Sequence, residues 1–127
     1  MRDLEELQSK LLVLVVDDDA RILRFLGTSL RLSGLDVVTA TGGEEALRLV
    51  ESARPDIMLL DIVMSPMDGL GVLKSLRATS IMPVIAMSAH ASAAGEALRL
   101  GANAFVNKPF RLDELVKEIK TVLACKQ

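Results

Sequence analysis

Short apolar runs alternate with longer amphipathic segments along the 127-residue chain. Continuous runs of Val, Leu, Ile and Met are typical of strands that are buried on both faces of a parallel sheet. They predict five strands, over Leu11–Val16, Leu35–Ala40, Asp56–Asp61, Pro83–Met87 and Ala104–Asn107. Segments with apolar residues at helical spacing follow each strand and predict five helices, over Arg21–Leu32, Glu44–Ala53, Gly69–Ala78, Ala91–Leu100 and Phe110–Leu123.

Residues that start or stop helices fall between these segments. Gly34 and Gly101 are placed to end the first and fourth helices, and Pro55 follows the second helix as a breaker. The stretch from Thr41 to Glu44 resembles a capping box that opens the second helix. These residues support the boundaries that the apolar pattern predicts.

Five strand–helix units in succession predict an α/β fold, in which a doubly wound parallel sheet carries helices on both faces. Right-handed crossovers between parallel strands restrict the topology further. The pattern predicts one domain over residues 11–124, a lead-in over residues 1–10 and a tail over residues 125–127. Leu4 and Leu7 stand at helical spacing, so we interpret the lead-in as a short extra helix or a frayed segment.

Acidic residues close two of the predicted strands. Asp17, Asp18 and Asp19 follow the first strand directly, and Asp61 closes the third. Because ligands in folds of this kind bind outside the carboxyl ends of the strands, we expect these carboxylates to gather at one edge of the sheet. Carboxylates that lie close together repel each other unless a cation lies among them. The sequence therefore predicts a hard divalent metal ion and a function in phosphate chemistry.

Composition and charge narrow the class of function. The formal net charge is −2 at pH 7, which provides no basic surface for nucleic acid, and the scarcity of aromatic residues leaves little for base stacking. No apolar run approaches the roughly 20 residues that cross a bilayer, and the charged start MRDLEELQSK lacks the apolar core of a secretory signal. Cys125 is the single cysteine, so no internal disulfide can form. We expect a soluble cytoplasmic protein that binds neither nucleic acid nor membranes directly.

Four motifs together resemble the receiver domain of two-component response regulators. They read VLVVDDD, DIVMSPMDG, PVIAMSAH and GANAFVNKPF, and the resemblance extends over about Leu11–Leu123. It implies a flavodoxin-like (βα)5 fold with strand order 2-1-3-4-5. It also implies a phosphorylation-controlled signalling switch, which is not an enzyme except that it catalyses its own phosphorylation and dephosphorylation.

The resemblance assigns the acidic residues to one site. Asp61 matches the phosphoacceptor, whose carboxylate forms an acyl phosphate. Asp17 and Asp18 match the acidic pair that holds Mg²⁺, with Mn²⁺ as an alternative ion. Asp18, Asp61 and the backbone carbonyl of Val63 are expected to bind the ion directly, and Asp17 mainly through water. Asp19 has no counterpart role, and we interpret it as a charge that favours the start of the first helix.

Three further residues match the pattern of the family. Lys108 is expected to reach the acyl-phosphate oxygens, and the peptide bond between Lys108 and Pro109 is expected to be cis. Ser88 matches a switch residue whose hydroxyl donates to a phosphoryl oxygen. Phe105 matches an aromatic switch position, and a plain core phenylalanine is the alternative interpretation.

The loop after the phosphoacceptor departs from the common pattern. Pro66 stands one place later than the usual proline, although the spacing from Asp61 to Asp68 and Gly69 is kept. A proline at this position restricts the residue before it to an extended conformation. The departure from the common pattern therefore lies in the loop that carries the expected metal-binding carbonyl.

The approach of the hydrolytic water is flanked by Val63 and His90 in the family pattern. Valine can neither orient nor activate a water molecule. His90 is interpreted either as a hydrogen-bonding group beside the phosphoryl oxygens or as a solvated histidine at a helix start. We predict that the rate of self-dephosphorylation depends on the side chain at residue 63.

The resemblance also implies partners. A histidine kinase or a histidine phosphotransfer protein would supply the phosphoryl group. A downstream target or a fused output domain would receive the signal, and a homodimer through the last two helices is common among relatives.

Three other classes of protein are alternatives. An aspartate-dependent phosphatase or phosphotransferase of the haloacid dehalogenase type also uses a strand-end aspartate, but its Asp-x-Asp motif fits the stretch from Asp17 to Arg21 poorly. A flavodoxin needs a glycine- and hydroxyl-rich phosphate loop after its first strand. A receiver-like interaction module that is not phosphorylated has no need of the complete set of acids and lysine.

Overall fold

The computed structural model describes residues 10–64 and 67–125. The predicted lead-in therefore lies outside the described residues except for Lys10, and so do Pro66 and the last two residues of the predicted tail. Every predicted strand and helix is present, and no observed end differs from the predicted one by more than two residues.

Strands and helices alternate in chain order. The strands are β1 Leu12–Val16, β2 Asp36–Ala40, β3 Ile57–Asp61, β4 Val84–Ser88 and β5 Ala104–Asn107. The helices are α1 Ala20–Leu32, α2 Gly43–Ala53, α3 Gly69–Arg77, α4 Ala93–Arg99 and α5 Leu112–Ala124. In the described part of the chain, none of these helices has the length and apolar character needed to cross a membrane.

The five strands form one parallel sheet in the order β2-β1-β3-β4-β5. Both the α/β prediction and the strand order implied by the resemblance are confirmed. The order reverses direction between β1 and β3, and this switch point is where ligands bind in open α/β sheets. A ligand-binding site is therefore expected at the carboxyl ends of β1 and β3.

Alternate residues along the strands face two separate layers of the core. One layer packs the sheet against α2, α3 and α4, and its buried members include Leu14, Leu60, Ala86, Val72 and Ala97. The other layer packs the sheet against α1 and α5, and its buried members include Val13, Leu59, Ile85, Leu26 and Ile119. Because side chains alternate between faces with a period of two, the continuous apolar runs of the strands fill both layers.

The ends of α1 follow the sequence interpretation. Asp19 is the N-cap, and its side chain accepts a hydrogen bond from the N–H of Arg21 at 2.9 Å. Gly34 has a φ of +93°, a left-handed conformation that glycine adopts without steric cost, directly after the helix ends. Its N–H donates to the carbonyl of Arg31 at 3.0 Å.

The predicted capping box of α2 is wrong by one residue. Gly42 is the N-cap and makes no side-chain hydrogen bond, and the helix begins at Gly43. The N–H of Thr41 donates instead to the carboxylate of Glu45, at 2.9 Å. The first-turn acid still satisfies a backbone donor, but it does so for a residue outside the helix.

The fourth and fifth helices begin two residues later than predicted. The N–H of Ala94 bonds to the carbonyl of Ala91 at 3.1 Å, which is the spacing of a tight turn, so α4 starts only at Ala93. Gly101, with a φ of +109°, follows the end of α4 as predicted. α5 starts at Leu112, after an N-cap residue with extended backbone.

Candidate functional site

Two neighbouring strands carry acidic side chains to the same edge of the sheet. Asp17 follows β1 and Asp61 ends β3, and the pairing of these strands sets Val16 beside Leu60. Asp17 is 1% exposed and Asp61 is 5% exposed, whereas Asp18 is exposed. One carboxylate oxygen from each of the three aspartates lies within 4.8 Å of the other two. The predicted acidic cluster is present.

Each buried aspartate uses one oxygen to order the backbone that follows it. Oδ1 of Asp17 accepts a hydrogen bond from the N–H of Asp19 at 2.9 Å, and Oδ1 of Asp61 accepts one from the N–H of Val63 at 3.2 Å. The N–H of Asp17 donates to the carbonyl of Ala40 at 3.1 Å, which extends the pairing of β1 with β2 by one residue. The second oxygen of each carboxylate, Oδ2, is left for side-chain contacts.

Lys108 brings an ammonium group to these two oxygens from the end of the chain's last strand. Its Nζ donates to Oδ2 of Asp17 at 2.9 Å and lies 3.5 Å from Oδ2 of Asp61. Its backbone N–H donates to the carbonyl of Ser88 at 2.9 Å, which continues the pairing of β4 with β5. The Lys108–Pro109 peptide bond is cis, as expected. One ammonium thus contacts two of the three carboxylates.

The electrostatic environment raises the pKa of Asp61. Burial of the carboxyl group is the largest cause, and the negative charge of Asp17 adds to it. The charge of Lys108 and the hydrogen bond from Val63 act in the opposite direction but do not cancel the effect. Three carboxylates and one ammonium leave excess negative charge at this edge of the sheet. A cation bound among the carboxylates would favour the ionised form of Asp61.

The donor set fits a hard divalent cation. Carboxylate oxygens are ligands that Mg²⁺ prefers, and the ion usually combines one or two of them with water and phosphate oxygens. Asp18 is exposed, so an ion at the cluster would remain accessible to water. Val63 follows Asp61 by two residues in the adjoining loop, and the role of its backbone carbonyl as a ligand stays a prediction.

Ser88 ends β4, the strand that pairs with β3, and His90 follows it by two residues. The strand pairing sets Met87 beside Asp61 and Ser88 beside Asn107. Ser88 is 1% exposed, and its Oγ accepts a hydrogen bond from the backbone N–H of His90 at 3.0 Å. The residue His90 is exposed. The structure brings Ser88 to the predicted place, and its role as a switch residue stays a prediction.

Phe105 is partly buried in β5 and packs against the core layer that contacts α2, α3 and α4. This position suits a core residue and a residue that repacks in a switch equally well. The structure therefore leaves both interpretations of Phe105 in place.

The sequence interpretation missed a steric requirement behind Asp61. α3 begins at Gly69, whose N–H donates to the carbonyl of Ile62 at 2.8 Å. A Cβ at Gly69 would overlap the carbonyl oxygen of Asp61. Asp68, the N-cap of α3, accepts a hydrogen bond from the N–H of Gly71 at 2.8 Å. The Asp68-Gly69 pair is visible in the sequence, but the close approach of two backbone segments is not.

Known proteins share this sequence pattern. The family model described as the response regulator receiver domain matches residues 13–120. The chain is 43% identical over 120 residues to a probable transcriptional regulator, ycf27, of Guillardia theta, in an alignment that covers 93% of this chain and 47% of that protein. It is 46% identical over 114 residues to the transcriptional regulatory protein PrrA of Mycobacterium tuberculosis, covering 87% and 49% respectively. The chain spans about half the length of the curated relatives it matches.

Solved structures share the fold. The receiver domain of the Francisella response regulator 1452 superposes with a TM-score of 0.86 at 33% identity, covering 93% of this chain and 100% of that chain. The chemotaxis protein CheY4 of Vibrio cholerae superposes with a TM-score of 0.84 at 29% identity, covering 90% of this chain and 99% of that chain. With its strand order, its strand-end acids and these matches taken together, the chain belongs to the family of response regulator receiver domains of two-component systems.

Proposed function

We propose that this receiver domain, over residues 11–124, is a phosphorylation-controlled switch whose phosphoacceptor is Asp61. The observation that carries the proposal is the surroundings of the Asp61 carboxylate. One of its oxygens lies within 4.8 Å of an oxygen of Asp17 and of Asp18, and its Oδ2 lies 3.5 Å from Nζ of Lys108. Acids that can hold a cation and a lysine that can hold phosphoryl oxygens therefore surround one nucleophile.

In the proposed reaction, a carboxylate oxygen of Asp61 attacks the phosphorus atom of a phosphohistidine. An O–P bond forms and the P–N bond breaks, and the electron pair of the broken bond leaves with the imidazole nitrogen. Asp61 must be ionised to attack, although its buried position raises its pKa. Lys108 offsets this by holding positive charge beside the carboxylate before the transfer and by donating to the phosphoryl oxygens after it.

The acidic cluster has a second role in the proposal, which is to hold Mg²⁺ or Mn²⁺. Asp18, Asp61 and the backbone carbonyl of Val63 would bind the ion directly, and Asp17 would do so through water. An ion held there would supply positive charge that offsets the charge of the carboxylates and of a phosphoryl group. Asp17 accepts a hydrogen bond from Nζ of Lys108 at 2.9 Å and so holds the lysine beside Asp61.

Ser88 is proposed to detect the phosphoryl group. Its Oγ already accepts from the N–H of His90, so its proton remains available for a phosphoryl oxygen. Movement of Ser88 toward that oxygen pulls the loop that leads into α4. This helix has one buried residue, Ala97, so few core contacts oppose a change in its position. Phe105, beside α4 in the same core layer, is proposed to repack when the helix moves.

A histidine kinase or a histidine phosphotransfer protein is the proposed phosphodonor. The matched relatives are described as transcriptional regulators, and a transcriptional output is the proposed consequence for this protein as well. The domain itself is proposed to catalyse only its own phosphorylation and dephosphorylation. Association of two copies through α4 and α5 is the proposed oligomeric response.

The test is incubation with acetyl phosphate and Mg²⁺, followed by intact mass and by size-exclusion chromatography. The wild-type protein should gain the mass of one phosphoryl group, and Asp61→Asn should gain none. Asp36→Asn is the matched control, because Asp36 is an exposed strand aspartate at the opposite edge of the sheet. Wild-type protein that stays unmodified, or Asp61→Asn that is modified to the same extent, would contradict the proposal.

A further inference from the structure

A second charged side chain lies among backbone groups at the edge of the sheet opposite to the acidic cluster. Arg77 is the last residue of α3. Its Nε and Nη2 donate to the carbonyl oxygen of Gly101 at 3.0 and 2.9 Å, and its Nη1 donates to the carbonyl oxygen of Ser80 at 3.2 Å. Nη2 also donates to Oδ1 of Asn103 at 3.1 Å. Within residues 10–64 and 67–125, no carboxylate forms an ion pair with this guanidinium.

Asn103 connects these contacts to the sheet. Its Oδ1 also accepts from the N–H of Val84 at 2.9 Å, and its own N–H donates to the carbonyl of Val84 at 2.8 Å. Val84 is the first residue of β4, and Asn103 directly precedes β5. Arg77 thus joins the end of α3 to the starts of two strands and to the turn that leaves α4.

The turn is shaped to receive the arginine. Gly101 has a φ of +109°, and a Cβ at this position would lie 2.9 Å from Nε of Arg77. A residue with a side chain would therefore be strained by its backbone conformation and would also displace the guanidinium. Ala102, one residue later, donates from its N–H to the carbonyl of Ala97, the buried residue of α4, at 3.0 Å.

The two ends of α4 are held very differently. The carboxyl end is tied to α3 and to the sheet through Arg77 and Gly101. The amino end has an N-cap, Ser92, that makes no side-chain hydrogen bond. The four residues 89–92 before the helix are all exposed, and they lead straight back to Ser88.

We propose that Arg77 fixes the carboxyl end of α4, so that movement which begins at Ser88 turns the helix about Gly101 instead of shifting the whole helix. Arg77 is a positioning residue in this scheme, because it touches none of the reacting groups. The inference rests on the proposed switch role of Ser88 for the origin of the movement. The fixed end itself is a property of the unmodified protein. A helix of seven residues is about 10 Å long, so a modest rotation displaces its amino end and leaves the start of β5 in place.

Amide hydrogen exchange resolves the two ends of α4. In the wild-type protein, addition of Mg²⁺ with beryllofluoride, a phosphoryl mimic, should change exchange over residues 89–95 and leave residues 98–103 unchanged. Arg77→Gln should exchange at least tenfold faster over residues 98–103 before any mimic is added, and the mimic should then affect both ends. Arg99→Gln is the control, because Arg99 is an exposed arginine on α4 that pairs with Glu96. It should behave as the wild type does.

A double-mutant cycle tests whether Gly101 acts through Arg77. Gly101→Ala alone should speed exchange over residues 98–103, and the same substitution in the Arg77→Gln background should add several-fold less. Gly34→Ala introduces a side chain at a similar φ with no atom nearby, so its effect should be the same in both backgrounds. If Arg77→Gln does not fold, Arg77→Lys, which keeps the charge but loses the forked donor pair, should speed exchange over residues 98–103 by a few-fold.

Two results would overturn the inference. One is slow, wild-type exchange over residues 98–103 in unmodified Arg77→Gln. The other is a wild-type response to the mimic that is as large at residues 98–103 as at residues 89–95. Failure of the proposed function shows separately, as the absence of a phosphoryl group in the intact mass of the wild-type protein. In that case the unmodified variants still decide whether Arg77 fixes the end of the helix.

Discussion

The acidic cluster and the Arg77 guanidinium are charged groups at opposite ends of the strands of one sheet. The cluster is surrounded mainly by other charges, whereas the guanidinium is surrounded by neutral hydrogen-bond acceptors. At the cluster, carboxylates face one another, one ammonium contacts two of them, and the pKa of Asp61 is raised. At Arg77, four hydrogen bonds run to neutral oxygens. Burial lowers the pKa of Arg77, but a guanidinium stays charged in proteins. Unbalanced charge favours binding of a new partner, whereas charge matched by fixed dipoles favours a rigid structure.

Removal of the ammonium from the cluster should have the largest effect on function. Lys108→Met leaves Asp17 and Asp61 without their shared cation. It also removes the proposed donor to the phosphoryl oxygens. We expect the initial rate of phosphorylation by acetyl phosphate to fall about 100-fold, which is the usual cost of losing one such electrostatic contact. Lys120→Met removes an exposed lysine from α5 and should leave the rate unchanged. A Lys108→Met rate within a few-fold of the wild type would show that the cluster does not depend on this charge.

Substitution of two helical glycines by alanine should have opposite effects on stability, because only one of the glycines is packed against the site. Gly69→Ala forces a Cβ against the backbone of Asp61 and Ile62 and should lower the free energy of unfolding by about 1–3 kcal/mol. Gly95→Ala, on exposed α4 with no atom within 4 Å, should raise it by about 0.5–1 kcal/mol. Urea unfolding of both variants measures the difference. Equal effects would mean that the backbone behind Asp61 yields easily.

Neutralisation of Asp61, which is buried, and of Arg77, which is partly buried, should change stability in opposite directions. The folded-state pKa of Asp61 lies above its ordinary value of 3.8, so folding disfavours the ionised form. In the absence of divalent cations, Asp61→Asn should therefore be more stable than the wild type at neutral pH. The advantage should fade as the pH falls through the folded-state pKa toward and below 3.8. Thermal unfolding in a chelating buffer across this range measures it.

Arg77→Gln should have the opposite effect on stability from Asp61→Asn. It removes hydrogen bonds from the carbonyls of Gly101 and Ser80, and we expect it to be less stable than the wild type by about 1–3 kcal/mol. Because no group titrates in this exchange, the loss should be nearly constant between about pH 4 and pH 8. A loss that follows the titration of the carboxylates would indicate that Arg77 interacts with an acid after all.

The smallest expected effect concerns the lifetime of the phosphoryl group. Val63 is 57% exposed and lies two residues after Asp61, and its side chain cannot form a hydrogen bond with water. Val63→Asn should change the rate of self-dephosphorylation several-fold, measured as loss of the phosphoryl mass after the donor is removed. Leu98→Asn replaces an exposed apolar residue on α4, away from the loop after Asp61, and serves as control. An unchanged decay rate would exclude a role for residue 63.

Most of the fold could be predicted because its three central strands, β1, β3 and β4, are buried on both faces. Such strands appear as uninterrupted apolar runs, and the observed strands start or end within one residue of the predicted ones. The strand order came from the family resemblance and not from the apolar pattern, because that pattern does not record which strands are neighbours. Helix starts were least well predicted at α4, which a tight turn precedes, and at α5, and both helices begin two residues later than expected.

The candidate site could be predicted in part for a similar reason. Acids that follow or end a strand must lie at its carboxyl end, so the sequence alone predicts that Asp17, Asp18 and Asp61 lie close together. The contacts of Arg77 could not be predicted, because Gly101 and Asn103 lie 24 and 26 residues away in the sequence. They accept through a backbone carbonyl and a side-chain amide, and no periodic pattern in the sequence indicates such contacts. The close approach of Gly69 to Asp61 depends on the packing of the start of α3 against the end of β3. No periodic pattern in the sequence indicates this approach either.

The contact between Lys108 and Asp17 joins residues that are 91 positions apart. The lysine is therefore synthesised well after the aspartate, and a nascent chain that has not reached residue 108 carries the carboxylates without their ammonium. Under the proposed function, a chain that ends before Lys108 should accept a phosphoryl group poorly, because its acidic residues lack the ammonium that contacts Asp17 and Asp61.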